Sequence, residues 1–280
     1  KRPCLVVIAG AHLGEIFPVE GEIIIGRDPE SNLRLAEDEG VSRRHARVTP
    51  VAEGALLADL GSQNGTYVDG DRVQERVLKE GMKIRIGQTT VLKFARYDAV
   101  EEAAQRQLLE SALRDGLTRA FNRRYFVERL GAEIRFAERH AQPLALLMLD
   151  IDHFKTLNDA HGHLIGAAVL RAVVGLLNDT LRAEDVLSRW GGEEFAVLVR
   201  GVNRDNAKLL GERLRKEIAE MGLTKEGGDK LTVTVSIGIS NFPLENPAEV
   251  PSEKMGPKLI ELADAALYRA KNAGRNRVEQ

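Results

Sequence analysis

The sequence predicts two folded parts: an all-β antiparallel sandwich, followed by an α/β layer of ferredoxin-like arrangement. Three observations carry this. From 4 to 96 the chain is a series of short apolar runs, CLVVIA, EIIIGR, ARVTPV, ALLADL, KIRIG and TVLKFA, separated by the turn clusters DPESN, GSQNG and VDGD. Period-two runs at that spacing, without a convincing helix, are the pattern of a sandwich. From 98 to 114, DAVEEAAQRQLLESALR changes to strong helix formers. After 115, helical and strand patterns alternate around one antiparallel hairpin.

A chain of 280 residues is long enough for two domains, each with its own core. Its 43% hydrophobic and 29% charged content is that of a globular protein. The net charge is −2, with 14 basic and 14 acidic residues in 1–97, so neither half is a polycation and bulk nucleic-acid binding is disfavoured. The longest apolar stretch, LALLML at 144–149, is too short to cross a bilayer, and no signal segment opens the chain. A cytoplasmic protein is expected. Cys4 is the single cysteine, which excludes an internal disulfide and suits a reducing compartment. The first residue is Lys1 rather than methionine, which leaves room for preceding residues and an anchor among them.

The boundaries follow from the changes of period: a sandwich over 1–97, a connecting helix over 98–114 and the α/β domain over 115–280. Val100, Ala104, Leu108 and Ser111 or Ala112 share one face of the connecting helix. That narrow stripe fits a linker that pairs as a short coiled coil, and equally a helix packed on its own domain. In the second domain the strands are LALLMLDID (144–152), DVLSRW (185–190), FAVLVR (195–200) and LTVTVSIGIS (231–240). Helices fall near 123–140, 164–181, 204–221 and 257–272. The proline-punctuated PLENPAEVPSEKMGP at 243–257 reads as a surface loop.

Residues 188–196, SRWGGEEFA, place two glycines and two glutamates between the strands of the hairpin. A tight turn accounts for Gly191 and Gly192. It does not account for Glu193 and Glu194, which repel each other there. LDID at 149–152 ends the neighbouring apolar strand with Asp150 and Asp152 on one side. Alone, LDID reads as a pair of solvated strand ends. With a second acidic cluster across the sheet, the carboxylates call for a hard cation, magnesium, completed by phosphate and water oxygens. His153, Phe154 and Lys155 follow directly in a strand-to-helix turn suited to phosphate, and Lys271 and Arg275 stand four apart near the C-terminus.

The blocks DGLTRAFNRR (115–124), LDIDHFKTLND (149–159), GHLIG (162–166), RWGGEEF (189–195), VSIGIS (235–240) and ADAALYRAKNAGRN (263–276) together resemble the GGDEF family of diguanylate cyclases, of which GGEEF is a common variant. The resemblance implies that two GTP molecules are joined into cyclic di-GMP with release of pyrophosphate. It implies that Asp150, Glu193 and the Ile151 carbonyl hold magnesium or manganese, and that Glu194 helps activate the ribose 3′-hydroxyl or organises that site. Gly191 and Gly192 would let the backbone approach the nucleotide, Asn158 would read the guanine edge, and Lys155, Lys271 and Arg275 would neutralise the outer phosphates. Each chain then presents one half-site, so a homodimer is the expected catalytic unit. RAED at 182–185 resembles the family's product-inhibition motif, implying Arg182 and Asp185 as cyclic di-GMP ligands, with Arg213 as a second contact.

One block departs from the family. Ala167 stands where an aspartate normally accepts hydrogen bonds from guanine. An engineered change, a purine pocket relaxed toward mixed GMP–AMP products, or a degenerate binder would each explain it, and the intact metal and phosphate residues speak against the last.

In the first half, IIIGRDPESN, VSRRHARV and GSQNGTYVDG resemble a forkhead-associated (FHA) domain, a sandwich that binds phosphothreonine. The resemblance implies Arg27, Ser42 and Arg43 as phosphate donors and Asn64 as a holder of the peptide backbone, with Gly26 and His45 shaping the loops. Gln63 occupies a position where threonine is usual. The expected partner is a phosphothreonine protein or a phosphorylated N-terminal segment of the chain itself. The alternative from another class is a non-catalytic receptor that binds cyclic dinucleotide at Arg182 and Asp185 and docks a phosphoprotein.

Overall fold

The computed structural model describes residues 1–10, 12–36, 38–182, 184–224, 230–244, 250–251 and 254–280. The chain divides into two compact units, Lys1–Ala112 and Leu113–Gln280.

The first unit carries strands β1 (Arg2–Ala9), β2 (Ile16–Pro18), β3 (Ile23–Gly26), β4 (Leu33–Arg34), β5 (Ala46–Val51), β6 (Gly54–Asp59), β7 (Thr66–Val68), β8 (Asp71–Val73), β9 (Glu75–Leu78), β10 (Lys83–Ile86) and β11 (Thr90–Tyr97). They form two sheets, β2-β1-β11-β10-β7-β8 and β4-β3-β5-β6-β9. Alternation sends Leu5, Val7, Ile25, Val48, Leu57, Ile84, Leu92 and Phe94 into the core between them.

In β1 both faces are buried, because the opposite set, Cys4 and Val6, packs with Ile16, Ala95 and Leu109. Leu109 belongs to α1 (Ala99–Leu113), which opens on a capping box. Asp98 Oδ1 accepts from the backbone N–H groups of Val100 and Glu101 at 3.0 and 2.9 Å, and Glu101 Oε2 accepts from Asp98 N at 3.0 Å. The expected apolar stripe is not the packed face. Val100 is 79% and Leu108 65% exposed, whereas Leu109 and the buried Glu102 face the sandwich. A charged residue takes the inner position because Arg2 reaches it with Nε and Nη2, at 2.9 and 2.6 Å from Glu102 Oε2. The helix is docked on the first unit.

The second unit follows the order β12 (Phe121–Asn122), α2 (Arg123–His140), β13 (Leu144–Ile151), α3 (Phe154–His161), α4 (His163–Thr180), β14 (Val186–Arg189), β15 (Glu194–Arg200), α5 (Arg204–Glu220), β16 (Leu223–Thr224), β17 (Lys230–Leu231), β18 (Val235–Phe242), α6 (Met255–Asn272) and β19 (Val278–Glu279). The main sheet runs β12-β14-β15-β13-β18-β19, with β13 antiparallel to both of its neighbours. All eight residues of β13 are buried. Ala145, Leu147, Leu149 and Ile151 pack with Val169, Val173 and Leu177 of α4 and Leu214 of α5. On the opposite face α6 lies so close that a Cβ on Gly238 would meet Leu267 N at 2.1 Å. Each buried aliphatic side chain contributes about 1.5–3 kcal/mol, so β13 is a rigid base for whatever stands at its end.

Three local expectations change. The run 231–240 is not one strand: Leu231 pairs with Leu223 in a separate hairpin, and β18 begins at Val235. Between them Thr234 turns toward Asp152, accepting from its N–H at 2.9 Å and donating Oγ1 to Oδ2 at 2.8 Å. The eight-residue α3 appears among the described residues without a separate sequence expectation, entered through His153 at φ 56°. In the predicted loop at 243–257, residues 245–249 and 252–253 lie outside the described residues, and α6 starts at Met255.

Candidate functional site

The end of β13 and the hairpin β14–β15 meet in register. Asp150 lies directly opposite Glu194 across the antiparallel ladder, and Ile151 N donates to Glu193 O at 3.3 Å. Lys271, from the last turn of α6, reaches Asp150 Oδ2 at 2.7 Å. Burial pushes the Asp150 carboxyl above the usual carboxylate range, against the pull of Lys271; the Asp152 charge adds to the rise and Arg275 opposes it. Burial also raises Glu194, followed by repulsion from Asp150, Asp264 and Glu193. The cluster is therefore an acidic pocket in which Lys271 and Arg275 offset part of the repulsion between the carboxylates.

The hairpin closes by Trp190 N and Gly191 N donating to Glu194 O at 2.8 and 3.2 Å. Neither Gly191 nor Gly192 has positive φ, so tight-turn geometry is not why glycine stands there. A Cβ on Gly191 would lie 2.8 Å from Glu194 Oε2, and one on Gly192 would project into open space. A side chain at Gly191 would displace the tip of Glu194 from its place, and Gly192 keeps the approach to the turn clear. Arg189 holds the turn from below: Nη2 donates to Gly192 O at 2.7 Å, Nε to Gly191 O at 3.1 Å, and Nη1 to Asp115 Oδ1 at 3.0 Å. Burial alone would raise Asp115, but Thr118 and Arg189 bring it below the usual range, so it is a fixed anion.

Asp152 does not join the acidic pocket. Its Oδ1 accepts from Ser236 Oγ at 2.7 Å, and its Oδ2 accepts from Thr234 Oγ1 at 2.8 Å and from the Asn276 backbone N–H at 3.0 Å. The last bond pins the turn at Arg275 and Asn276, both with positive φ. Arg275 and Lys271 are thereby set on the side of Asp150.

Lys155 is exposed on the first turn of α3, with Asn158 one turn on. Asn158 Oδ1 is buried without a hydrogen-bond partner, and a Cβ on Gly166 of α4 would sit 1.9 Å from it. Gly166 is glycine to admit Asn158, and the half-buried Ala167 follows it. A buried amide left unpaired costs about 1–3 kcal/mol, the pattern of a group waiting for a ligand.

Arg182 and Asp185 meet a cavity of about 370 Å3 before β14, where Asp185 Oδ2 accepts from Arg182 N at 2.9 Å and the carboxyl also accepts from the backbone of Arg200. Burial raises the Asp185 carboxyl and Glu184 adds to it. Arg213 is elsewhere on α5, donating to Glu217 at 2.8 Å, and does not line that cavity.

In the first unit, Gly26 sits where a Cβ would be 2.0 Å from Arg43 O. The fully buried His45 accepts from Ser42 N through Nδ1 at 3.0 Å and donates through Nε2 to Gly65 O at 3.3 Å. Ser42 Oγ accepts from Gln63 N at 3.1 Å, Asn64 Nδ2 donates to Gly40 O at 2.8 Å, and Arg27 Nε donates to Val41 O. One loop, 40–45, is thus tied to Arg27, Gln63 and Asn64, with the Arg27 and Arg43 side chains exposed.

Residues 112–277 match the family described as diguanylate cyclase, GGDEF domain. The chain belongs to that family. Residues 23–87 match the FHA domain. Diguanylate cyclase DgcP of Pseudomonas aeruginosa is 42% identical over 170 residues, 61% of this chain and 24% of that protein. The probable diguanylate cyclase DgcT of Escherichia coli is 39% identical over 170 residues, 60% of this chain and 35% of that protein. The chain therefore spans about a quarter to a third of these curated relatives. Among solved structures, the coiled coil and GGDEF domain of DgcB from Caulobacter crescentus in complex with c-di-GMP superposes with a TM-score of 0.57 at 32% identity, covering 63% of this chain and 90% of that one.

Within the GGDEF domain, the structure brings Asp150, Glu194, Glu193, Lys271 and Arg275 to one end of the sheet, with Lys155 and Asn158 on the helix that follows β13. Sequence reasoning missed Arg189 and Asp115, which set the turn, and the anchoring role of Asp152. Both members of the first pair lie inside quoted motifs, DGLT and RWGGEEF. A lone arginine two residues before paired glycines was the signal available. Among the described residues no three His, Cys, Asp or Glu side chains form a metal cage. The oxygen-only set of Asp150, Glu193 and a backbone carbonyl fits magnesium, which takes one or two carboxylates and shares the rest of its shell with phosphates and water. No helix among the described residues is long and apolar enough to cross a membrane.

Proposed function

We propose that the chain is a diguanylate cyclase that joins two GTP molecules into cyclic di-GMP and releases two pyrophosphates. In each step the 3′-oxygen of one nucleotide attacks the α-phosphorus of the other, the bond to pyrophosphate breaks, and the 3′-hydroxyl proton leaves to a base. The register of Asp150 against Glu194, with Lys271 at 2.7 Å, is the observation that carries this reading. Magnesium, or manganese in its place, held by Asp150, Glu193 and the Ile151 carbonyl would supply charge stabilisation on the phosphates. Glu194, whose affinity for a proton is raised by its surroundings, is suited to accept the hydroxyl proton. Lys155, Lys271 and Arg275 bind the outer phosphates. Asn158 presents its unpaired amide to the base. Gly192 and the Arg189 clamp leave the turn open and fixed for the nucleotide.

Among the described residues one nucleotide site is built, and joining two nucleotides symmetrically then takes two chains face to face, so the working unit is a homodimer. The cavity at Arg182 and Asp185, with Arg213 at a distance on α5, is the product-inhibition site. The FHA domain over 1–97 captures a phosphothreonine through Arg27, Ser42 and Arg43, with Asn64 ordering the recognition loop. Capture biases the pairing of GGDEF domains over 115–280 through the helix at 98–114. The phosphothreonine belongs to a partner protein or to a preceding segment of this chain. The single buried cysteine suits the cytoplasm.

Ala167 favours a second outcome from the same site. Without the aspartate, selection of guanine over adenine rests on Asn158, and mixed cyclic GMP–AMP becomes accessible. Incubating the protein with GTP, ATP and magnesium and weighing the products tests both. Cyclic di-GMP alone supports the first reading, mixed product the second, and no cyclic dinucleotide rejects the enzyme in favour of a receptor.

A further inference from the structure

We propose that Arg123 is a positioning residue for the reaction: it holds the Trp190 ring against Phe126 and so sets the place of the turn that carries Glu193 and Glu194. The inference rests on the cyclase reading of that turn and adds to it a residue outside the metal and phosphate set.

Trp190, the one tryptophan of the chain, is the last residue before the paired glycines. Gly191 and Gly192 have no side chains with which to anchor the turn, so its place is imposed by its flanks. Arg189 clamps the glycine carbonyls, and Trp190 N closes the hairpin on Glu194 O at 2.8 Å. The Trp190 ring meets the fully buried Phe126 of α2 edge-on, with centroids 5.8 Å apart and planes at 79°. The Arg123 guanidinium lies 4.2 Å from the centroid of the same ring. Beyond these contacts the ring borders a cavity of about 410 Å3 lined by Met148, Ile260 and Asp264. Packing on Phe126 alone leaves the indole room to swing, and the cation–π contact closes that freedom.

The local sequence points the same way. Arg123 is the first residue of α2, presented from a fixed start because Asn122 Oδ1 accepts from Tyr125 N at 3.0 Å. The first turn holds no acidic residue, and a cation there faces the positive end of the helix dipole. Arg123 thus works against its own helix. Arg124 has Glu128 one turn on at 3.4 Å, whereas among the described residues Arg123 has no ion-pair partner. What it engages is the indole, three residues before Glu193. Glu194 accepts its proton only within hydrogen-bond reach, and a displacement of about 1 Å can cost up to about a hundredfold in rate.

Steady-state kinetics of the full chain with GTP and magnesium, read beside Trp190 fluorescence, test this with Arg123→Ala, Arg123→Lys and Arg124→Ala. Arg123→Ala is expected to lower kcat about tenfold with KM within about twofold of the parent, and to move the emission to longer wavelength as water reaches the ring. Arg123→Lys keeps a cation without its plane and is expected to recover about threefold of that loss. Arg124→Ala removes an equal charge from the same turn and is expected to match the parent in rate and emission. If the parent makes no cyclic dinucleotide, the cyclase reading fails and the role of Arg123 in the reaction with it. If the parent is active and Arg123→Ala equals it in kcat and emission, the cyclase stands and the inference is wrong. A raised KM at unchanged kcat would make Arg123 a nucleotide ligand, and an equal loss in Arg124→Ala would reduce the effect to charge at the helix start; either overturns the proposal. Should Arg123→Ala fail to fold, as its unfolding transition would show, the lysine variant decides, with parent-like kcat and emission counting against the clamp.

Discussion

Asp115 and Arg189, 74 positions apart in sequence, meet at 3.0 Å, and the same guanidinium donates to the carbonyls of both glycines in the turn. One ion pair thus joins the start of the second unit to the bend that carries Glu193 and Glu194. Substituting Asp115→Asn leaves the arginine's backbone contacts but removes the charge that orients it. A charge-assisted hydrogen bond is worth about 1.5–3 kcal/mol. If that energy is used to hold the turn, the initial cyclase rate falls about tenfold to a hundredfold. The unfolding midpoint moves by only a few degrees. A rate unchanged within twofold would show that the turn holds itself.

Ala167 follows Gly166, whose missing Cβ makes room for Asn158. Restoring an acceptor with Ala167→Asp adds a carboxylate to α4 one residue after the Gly166 contact with Asn158, where it is expected to accept from guanine and not from the corresponding edge of adenine. A buried acceptor matched to two donors discriminates by about 1.5–3 kcal/mol. The ratio of guanine to adenine in the products is therefore expected to rise about tenfold to a hundredfold, read by mass from an equimolar GTP and ATP mixture. An unchanged ratio would mean that the base does not lie against α3 and α4.

The acidic pocket was legible because strand alternation is a strong constraint: once LDID and the hairpin are neighbouring strands, Asp150 faces Glu193 or Glu194, and the register selects Glu194. Alternation cannot say which of two like residues is engaged. Asp152 has the same face as Asp150, yet its oxygens are taken by Ser236, Thr234 and the Asn276 N–H, a set of partners more than 80 residues away. The same long-range demand interrupts the strand expected over 231–240. On α1 the apolar periodicity pointed to Val100 and Leu108, but the docked face is set by Leu109 and by a buried ion pair that hydrophobic patterning does not register. Residues 123–140 coincide with α2, where Asn122 Oδ1 caps Tyr125 N and both helix ends are marked in the sequence.

Glu102 is 7% exposed and depends on Arg2, which also reaches Glu20 at 2.6 Å. Arg106 stands 3.6 Å from Glu102 as a partial substitute. Replacing Arg2→Ala leaves a buried carboxylate with its weaker partner, so α1 should detach from the sandwich more often. Amide hydrogen exchange across 99–113 is expected to quicken about tenfold, while exchange in β5 and β6 stays as it was. Equal exchange along α1 in both proteins would mean that Leu109 and its apolar neighbours suffice to dock the helix.

His45 and Asp38 make the sandwich sensitive to acid. Burial pulls His45 below the ordinary histidine value of about 6.5, and its Nδ1 already accepts from Ser42 N, so the ring is neutral in the folded state. Burial alone would raise Asp38, but hydrogen bonds from Gln88, Thr89 and Thr90 outweigh it and leave the carboxyl below its usual range. Both folded values are depressed, so in each case the unfolded chain binds the proton first. The stability contributed by His45 is present above about pH 6.5 and is lost as pH falls through and below that value; that of Asp38 follows below about pH 4. Ser42 and Gly40 hang on these two residues, and binding follows the depressed folded-state His45, so phosphothreonine-peptide affinity is expected to decline only at pH lower than the ordinary histidine value of about 6.5, beyond what peptide protonation explains. Fluorescence titration with a peptide carrying a non-titrating phosphate mimic isolates the protein's share. In His45→Asn the inflection near histidine's range should vanish, whereas its persistence would assign it to another group.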